Sequence, residues 1–389
     1  MPRMSFLYSF PAVVLYSQSL EILSNIPLAP FTTFGIGGPA RWFAEVTSEE
    51  EIVEAVDWAR QNGAPLFVLG GGSNLLVSDA GFDGLVIRMA LRGISAHSSV
   101  SHAHSIAAPV DLVAAFFYQC AAGEPWENVV QRTLEDQCAG LECLTGIPGT
   151  VGGTPVQNVG AYGQEVSSVI QCVRVYDSYD RAFVDLTAFE CNFSYRRSRF
   201  NSPQQTSDRG RFIVTRVDFQ LNPTGEPTLQ YPDLVRELES TLPAGKRPSL
   251  ADTAAAVRRI RRSKGMLIVE GDPESRSAGS FFKNPIITEK HFQRIAAQTP
   301  TPPSKYPADP GPNGEPSVKI PAAWLIEQAG FSKGYTLGTA AISPRHTLAL
   351  INKSSATAAD IVALAEQIAA AVEARFGIHL EMEPVQVGF

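Results

Sequence analysis

Apolar residues recur along the chain with two periods, and each predicts a kind of element. Between 48 and 62, Ile52, Val53, Val56 and Ala59 fall at helical spacing, which gathers them on one face of an amphipathic helix. Ser48 followed by Glu51 supplies a capping-box signature at its start. Further helices are predicted over 111–122, with Leu112, Ala115, Phe116 and Cys120 inward, and over 251–264, 321–329 and 357–376. Short apolar runs and alternation predict strands at 65–70 (PLFVLG), 75–77 (LLV), 85–89, 169–176, 182–186 and 211–221. A last strand is predicted over HLEMEPVQV, with Glu381 and Glu383 on one face and Leu380 and Met382 on the other. Residues 35–40 match the fingerprint G-x-G-x-x-A literally, but that motif must follow a strand and open a helix. Here Pro39 and the alternation of Ala40, Trp42, Ala44 and Val46 read as a turn into a strand, so the match is a false one.

Two glycine-rich loops punctuate these elements. The 65–70 strand runs into Gly70, Gly71, Gly72, Ser73 and Asn74. Successive glycines after a buried strand expose backbone N–H groups, an arrangement suited to a pyrophosphate without any lysine; a flexible hairpin loop is the competing reading. The second loop, GIPGTVGGTPVQNVGAYG at 146–163, has too much glycine and proline for a regular helix. Its Ile147, Val151, Val156 and Val159 would let it lie packed against a flat ligand, whereas a surface Ω-loop would have little use for them. Residues 300–316 hold seven prolines and read as an extended surface loop, since apolar structure resumes at 318.

Composition narrows the classes. A chain of 389 residues, 44% hydrophobic, exceeds what one core usually serves, so two or three domains are expected. The net charge of −7 argues against a general nucleic-acid or polybasic membrane binder, and a small anionic ligand then needs a local basic site. Five cysteines without a CxxC pair read as reduced thiols in a cytoplasmic protein, with no metal site. The apolar stretch Phe6–Tyr16 is too short to span a bilayer and is broken by Pro11, so residues 1–20 read as an N-terminal extension. A monomer is expected.

Three stretches carry candidate chemistry. SAGSFFKNP at 277–285 sets Ser280, Lys283 and Asn284 in a turn-rich frame between apolar walls, although a strand ending in an Asn-Pro turn would look the same. FSYRRSRF at 193–200 brings three arginines beside aromatics; alternation would point Arg196 and Ser198 to one face and Arg197 and Arg199 to the other, and a solvated edge is the plain alternative. The 251–264 helix ends in Arg258, Arg259, Arg261, Arg262 and Lys264, cations that suit either the helix dipole or a diphosphate.

Taken in order, PLFVLGGGSNLLV, GIPGTVGGTPVQNVGAYGQEV, FSYRRSRF, AGSFFKNP, PAAWLIEQAGF and LEMEP closely resemble the motifs of the UDP-N-acetylenolpyruvoylglucosamine reductase family over roughly residues 28–388. The resemblance implies an α+β, three-domain flavoprotein: FAD-binding domains of the PCMH or vanillyl-alcohol-oxidase type plus an α/β substrate-binding domain. It would divide the chain into 21–88, joined by the C-terminal strand 380–389, then 89–263, then 264–379. It implies FAD as cofactor and NADPH as reductant of the enolpyruvyl ether of UDP-N-acetylglucosamine. Ser280, Arg196 and Glu383 would then be catalytic. FAD would be held by Gly70, Gly71, Gly72, Ser73 and Asn74 and by Ile147, Pro148, Thr150, Gly152, Gly153, Thr154, Val156, Val159 and Gly160. Tyr231, in TLQYPDL, resembles the substrate-contacting tyrosine segment of the longer subclass, and Lys264 and Asn284 would join it on the substrate. The chain departs from the family pattern at SKGM, where many members have Lys-Leu-Pro after the lysine. A sugar oxidase would share the glycine loops but lack the Ser280 element, and a non-catalytic flavin binder would lose Arg196, Ser280 or Glu383.

Overall fold

The structure, a computed structural model, describes residues 14–15, 20–102, 112–201, 210–311 and 313–389. Most of the expected 1–20 extension therefore lies outside the described residues. The fold is mixed α+β, with two five-stranded sheets followed by a smaller α/β region.

In the first sheet the strand order is Val14–Leu15, Glu21–Pro27, Pro39–Val46, Phe82–Met89, Leu66–Leu69. Its last three members run parallel, which requires a crossover, and helix Glu49–Gln61 supplies it. The Ser48 hydroxyl accepts from Glu51 N, while the Glu51 carboxylate reaches back to Thr47 N at 2.6 Å rather than to the cap residue. Strand Pro39–Val46, where the dinucleotide fingerprint would need a helix, agrees with the alternation read there.

The second sheet is antiparallel, in the order Ala182–Thr187, Ile170–Asp177, Phe212–Leu221, Leu112–Ala121, Ile94–His102. The helix predicted over 111–122 is thus a strand, Leu112–Ala121, paired on both sides; residue 111 lies outside the described residues. Tyr118 and Cys120 are buried while Phe117 and Gln119, on either side of Tyr118, are not, a period of two. The stretch AAFFYQC fits either period, and its aromatics favour the pleated sheet once neighbours are available on both edges. Trp58, Tyr118, Trp126, Tyr176 and Phe219 fill the core shared by the two sheets.

Helices Ala322–Gln328 and Ala358–Phe376 organise the C-terminal region, whose core includes Phe281, Phe282, Leu325, Leu364 and Ile368. Strands Ile286–Thr288, Ser317–Lys319 and Tyr306–Pro307 form a small sheet, so the proline-rich stretch is built into it at Tyr306 instead of lying wholly as a surface loop. The predicted strand HLEMEPVQV shrinks to Val385–Val387 plus a single bridge between Met382 and Phe282. Pro384, which has no N–H, separates the two pieces. Val385–Val387 pairs in parallel with Leu75–Val77 in a separate two-stranded sheet, whose Val77 and Val387 pack with Ala40 and Val86 of the first sheet. Helices Pro232–Thr241 and Leu250–Ser263 pack together on Cys143 through Leu234, Leu238, Val257 and Ile260. Among the described residues no helix is long and apolar enough to cross a membrane.

Candidate active site

Ser280 is placed by a short ladder. Gly279 has φ +77°, a conformation costly for any residue with a Cβ, and turns the chain into Ser280. Beyond it, Glu383 N donates to Phe281 O at 2.8 Å and Lys283 N to Glu381 O at 3.0 Å, laying 281–283 antiparallel against 381–383. Phe281 and Phe282, each 1% exposed, anchor that ladder in the C-terminal core. The Ser280 hydroxyl, half-buried beside the Glu383 rung, has no hydrogen-bond partner among the described residues.

Arg196 reaches the same place from a turn. The alternation expected over 193–200 is absent, because Ser194 and Arg197 exchange backbone hydrogen bonds of 3.0 Å and put Tyr195 and Arg196 at the corner. Arg196 itself has φ +56°; a non-glycine residue there costs of order 1 kcal/mol or more and persists only where its surroundings hold it. Arg196 Nη2 donates to Gly160 O at 2.7 Å, and Nε lies 3.0 Å from Glu383 Oε1. That second contact is one of charges; its alignment leaves the buried Nε without a formal hydrogen bond. Burial pushes the Glu383 carboxyl above the usual range, against the opposing pull of Arg196 and Lys283.

The glycine loops lie against each other. A Cβ on Gly71 would sit 2.5 Å from Gly149 Cα, and one on Gly70 would sit 2.9 Å from Thr150 Oγ1. Trp126 N donates to Gly149 O and Gly152 N to Ala122 O, while buried Val151 pins the second loop into the main core. Ile147, Pro148, Val156, Val159 and Gly160 are half-buried, Thr154 is buried and Gly153 is exposed. Thr150 Oγ1 is buried without a partner among the described residues, as suits a position that a polar ligand completes. Asn74 ties the glycine loops to the Arg196–Glu383 corner, since its Nδ2 donates to Gln157 Oε1 at 2.6 Å and to Glu383 O at 3.2 Å.

The substrate candidates divide. Tyr231 caps helix Pro232–Thr241 and Lys264 caps the far end of Leu250–Ser263. Lys264 Nζ lies 6.0 Å from the Tyr231 ring and 3.0 Å from Asp233 Oδ2. Tyr162, which the sequence reading left unassigned, stacks edge-on against Tyr231 at 5.2 Å. Burial raises both phenols. His346, also missed, is held down to about 4 by burial and by the charges of Lys264 and Lys333. Buried Arg261 donates from Nε to Gly146 O and from Nη2 to Met266 O, fixing the SKGM path to the glycine loop. Asn284 follows the 281–283 ladder. Its Oδ1 accepts from Ala322 N at 2.9 Å, and it lies close to the hydroxyl of Tyr195, the neighbour of Arg196. Lys319, with Nζ 4.1 Å from the Tyr195 ring, was invisible in the sequence pattern.

The site can be set beside known proteins. Residues 272–387 match the family model for the C-terminal domain of UDP-N-acetylenolpyruvoylglucosamine reductase, and residues 40–181 match an FAD binding domain. A Streptomyces coelicolor protein named UDP-N-acetylenolpyruvoylglucosamine reductase is 42% identical over 389 residues, covering 97% of this chain and 94% of its own length. A Thermobifida fusca protein of the same name is 44% identical over 369 residues, covering 94% of this chain and 97% of its own. The crystal structure of the Thermus caldophilus reductase superposes with a TM-score of 0.59 at 26% identity, over 97% of this chain and all of that one. Relatives this similar over nearly the whole length leave one assignment: the chain belongs to the UDP-N-acetylenolpyruvoylglucosamine reductase family and is an FAD-dependent oxidoreductase.

Proposed function

We propose that the chain reduces the enolpyruvyl ether of UDP-N-acetylglucosamine to UDP-N-acetylmuramate at the expense of NADPH, in the cytoplasmic assembly of peptidoglycan precursors. The observation that carries the reading is the convergence, at one short ladder, of Ser280, unpartnered among the described residues, with the half-buried Glu383 that faces Arg196.

FAD, when bound, supplies the hydride carrier. Gly70–Asn74 would hold its pyrophosphate on backbone N–H groups, and the 147–160 loop would lie along its ring, with Thr150 Oγ1 offering a free acceptor and donor. The remaining work falls to side chains. Hydride addition to the substrate's methylene carbon drives charge toward the neighbouring carboxylate. Arg196 is placed to neutralise that charge as it grows, in a site where burial strengthens the interaction. Glu383, whose carboxyl is shifted upward by burial, would in its protonated form hydrogen-bond the developing enolate. Ser280 then delivers a proton to carbon. A serine is a weak acid, so this role depends on a fixed position and an adjacent charge. Tyr231, Lys264 and Asn284 would hold the substrate.

The test is the absorption spectrum of the purified protein under anaerobic conditions. A flavin band bleached by NADPH and restored by the enolpyruvyl sugar nucleotide is the expected result. A band that returns only with oxygen would point to an oxidase instead.

A further inference from the structure

Lys319 ends strand Ser317–Lys319, the central strand of the small sheet, where its Cα lies between those of Ile286 and Tyr306. Its side chain is half-buried and its ammonium stands 4.1 Å from the centre of the Tyr195 ring. Among the described residues it has no carboxylate within ion-pair distance and no hydrogen-bond acceptor. Nearby lysines differ in this respect: Lys264 pairs with Asp233, Lys283 with Glu381 and Lys305 with Glu289. Glu165 attracts Lys319 from a distance, but its Oε2 accepts from Asn158 Nδ2 at 3.0 Å. Arg196, one residue from the ring that Lys319 covers, repels it.

A half-buried cation next to another cation is costly to fold around unless something anionic joins them. The face of a tyrosine offsets only part of that cost. Arg196, for its part, has Nη2 on Gly160 O and Nε against Glu383, so only a fraction of its donor fork remains for a ligand. Two cations thus meet at the Tyr195 ring, the Arg196 guanidinium carbon 5.5 Å and the Lys319 ammonium 4.1 Å from its centre, and among the described residues the one carboxylate within ion-pair distance of either is Glu383, on Arg196. Burial and Arg196 also pull the Lys319 ammonium below its usual range, with Glu165 opposing.

We infer that Lys319 is a second binding cation for the enolpyruvyl carboxylate of the substrate, sharing it with Arg196. The inference rests on the proposed function, because that reading supplies the carboxylate. Lys319 stays an ammonium throughout; no bond to it forms or breaks, and its part is to hold the carboxylate and to take up charge as the reduction proceeds.

Two ligands that differ at this one group make the test. UDP-N-acetylmuramate carries the lactyl carboxylate, whereas UDP-N-acetylglucosamine has the same nucleotide and sugar without it. Each is titrated against the flavin-loaded enzyme, by calorimetry, for the native protein, Lys319→Met and Lys319→Arg. Lys319→Met should weaken UDP-N-acetylmuramate by about tenfold to a hundredfold, the range for a charged hydrogen bond, and UDP-N-acetylglucosamine by less than about threefold. Lys319→Arg should recover most of the loss. Equal weakening of both ligands, or of neither, would overturn the role, since a merely structural lysine cannot distinguish them. Lys319→Gln replaces Lys319→Met if the latter does not retain flavin. A native enzyme that is not reoxidised by the enolpyruvyl sugar would instead refute the reading beneath, and the inference with it.

Discussion

The proposed cofactor cradle and the proposed catalytic corner are built by opposite means. The cradle, 70–74 against 147–160, is backbone on backbone, with glycines where a single Cβ would strike the facing chain. The corner is side chains on turns and strand ends: Arg196 at a left-handed position, Glu383 on the ladder that Ser280 leads into, Lys264 at a helix terminus. A cofactor that never leaves can be gripped by fixed geometry. A substrate that must enter, gain charge and depart calls for groups left partly unsatisfied, and those groups sit in the corner.

Substitutions in the two regions should therefore fail differently. The largest effect is expected in the cradle. Gly71→Val would drive its Cβ toward Gly149 Cα, 2.5 Å away, and separate the two loops. The purified variant should carry less than about a tenth of the native flavin, read from its visible absorbance, with turnover lost in proportion; full occupancy would remove the cradle from cofactor binding. Next comes Ser280→Ala, for which overall turnover should fall roughly 10²-fold to 10⁴-fold at normal flavin content, the range for a positioned proton donor. Ser280→Cys should lose less. Lys264→Ala should be milder, raising the KM for the sugar nucleotide about tenfold while flavin stays bound. If flavin is stripped instead, the corner and the cradle are not separate.

The smallest effect on activity is expected far from both. Arg211 holds the buried Asp177 carboxyl down to about 2 through paired hydrogen bonds of 2.8 and 2.5 Å. A depressed carboxyl stabilises the fold above its unfolded pKa and loses that contribution as pH falls, here from about 4 toward 2. Asp177→Asn should cost about 2 kcal/mol at neutral pH, flatten the acid limb of the stability curve measured by urea unfolding, and leave turnover unchanged.

The same contrast explains what could be read from the chain. Gly70–Asn74 announced itself because three glycines after an apolar strand have few other uses, and helix Glu49–Gln61 because its periodicity and cap agree. The strand Leu112–Ala121 was misread because Ala, Phe and Tyr in a row satisfy both periods and only the flanking strands decide. Helices Trp126–Glu135, Pro232–Thr241 and Glu289–Gln298 went unread; Pro125 and Tyr231 at their starts are poor caps, and only Thr288 accepts a capping bond. In the corner the arginine cluster was visible but its turn was not, since nothing local predicts a positive φ at Arg196. Ser280, Glu383 and Arg196 lie 187 positions apart at the extremes of 196 and 383, and their grouping came from family resemblance. Lys319, Tyr195, Tyr162 and His346 carried no signal in sequence, because each acquires its meaning from partners distant in the chain.

The central claim is that Ser280 serves the substrate and not the cofactor, and stopped-flow measurement of the two half-reactions in Ser280→Ala tests it most directly. Flavin bleaching by NADPH should proceed within about threefold of the native rate, and reoxidation by the enolpyruvyl sugar should carry essentially the whole 10²-fold to 10⁴-fold loss. Product formation at close to the native rate, or a bleaching step slowed as much as reoxidation, would contradict the account.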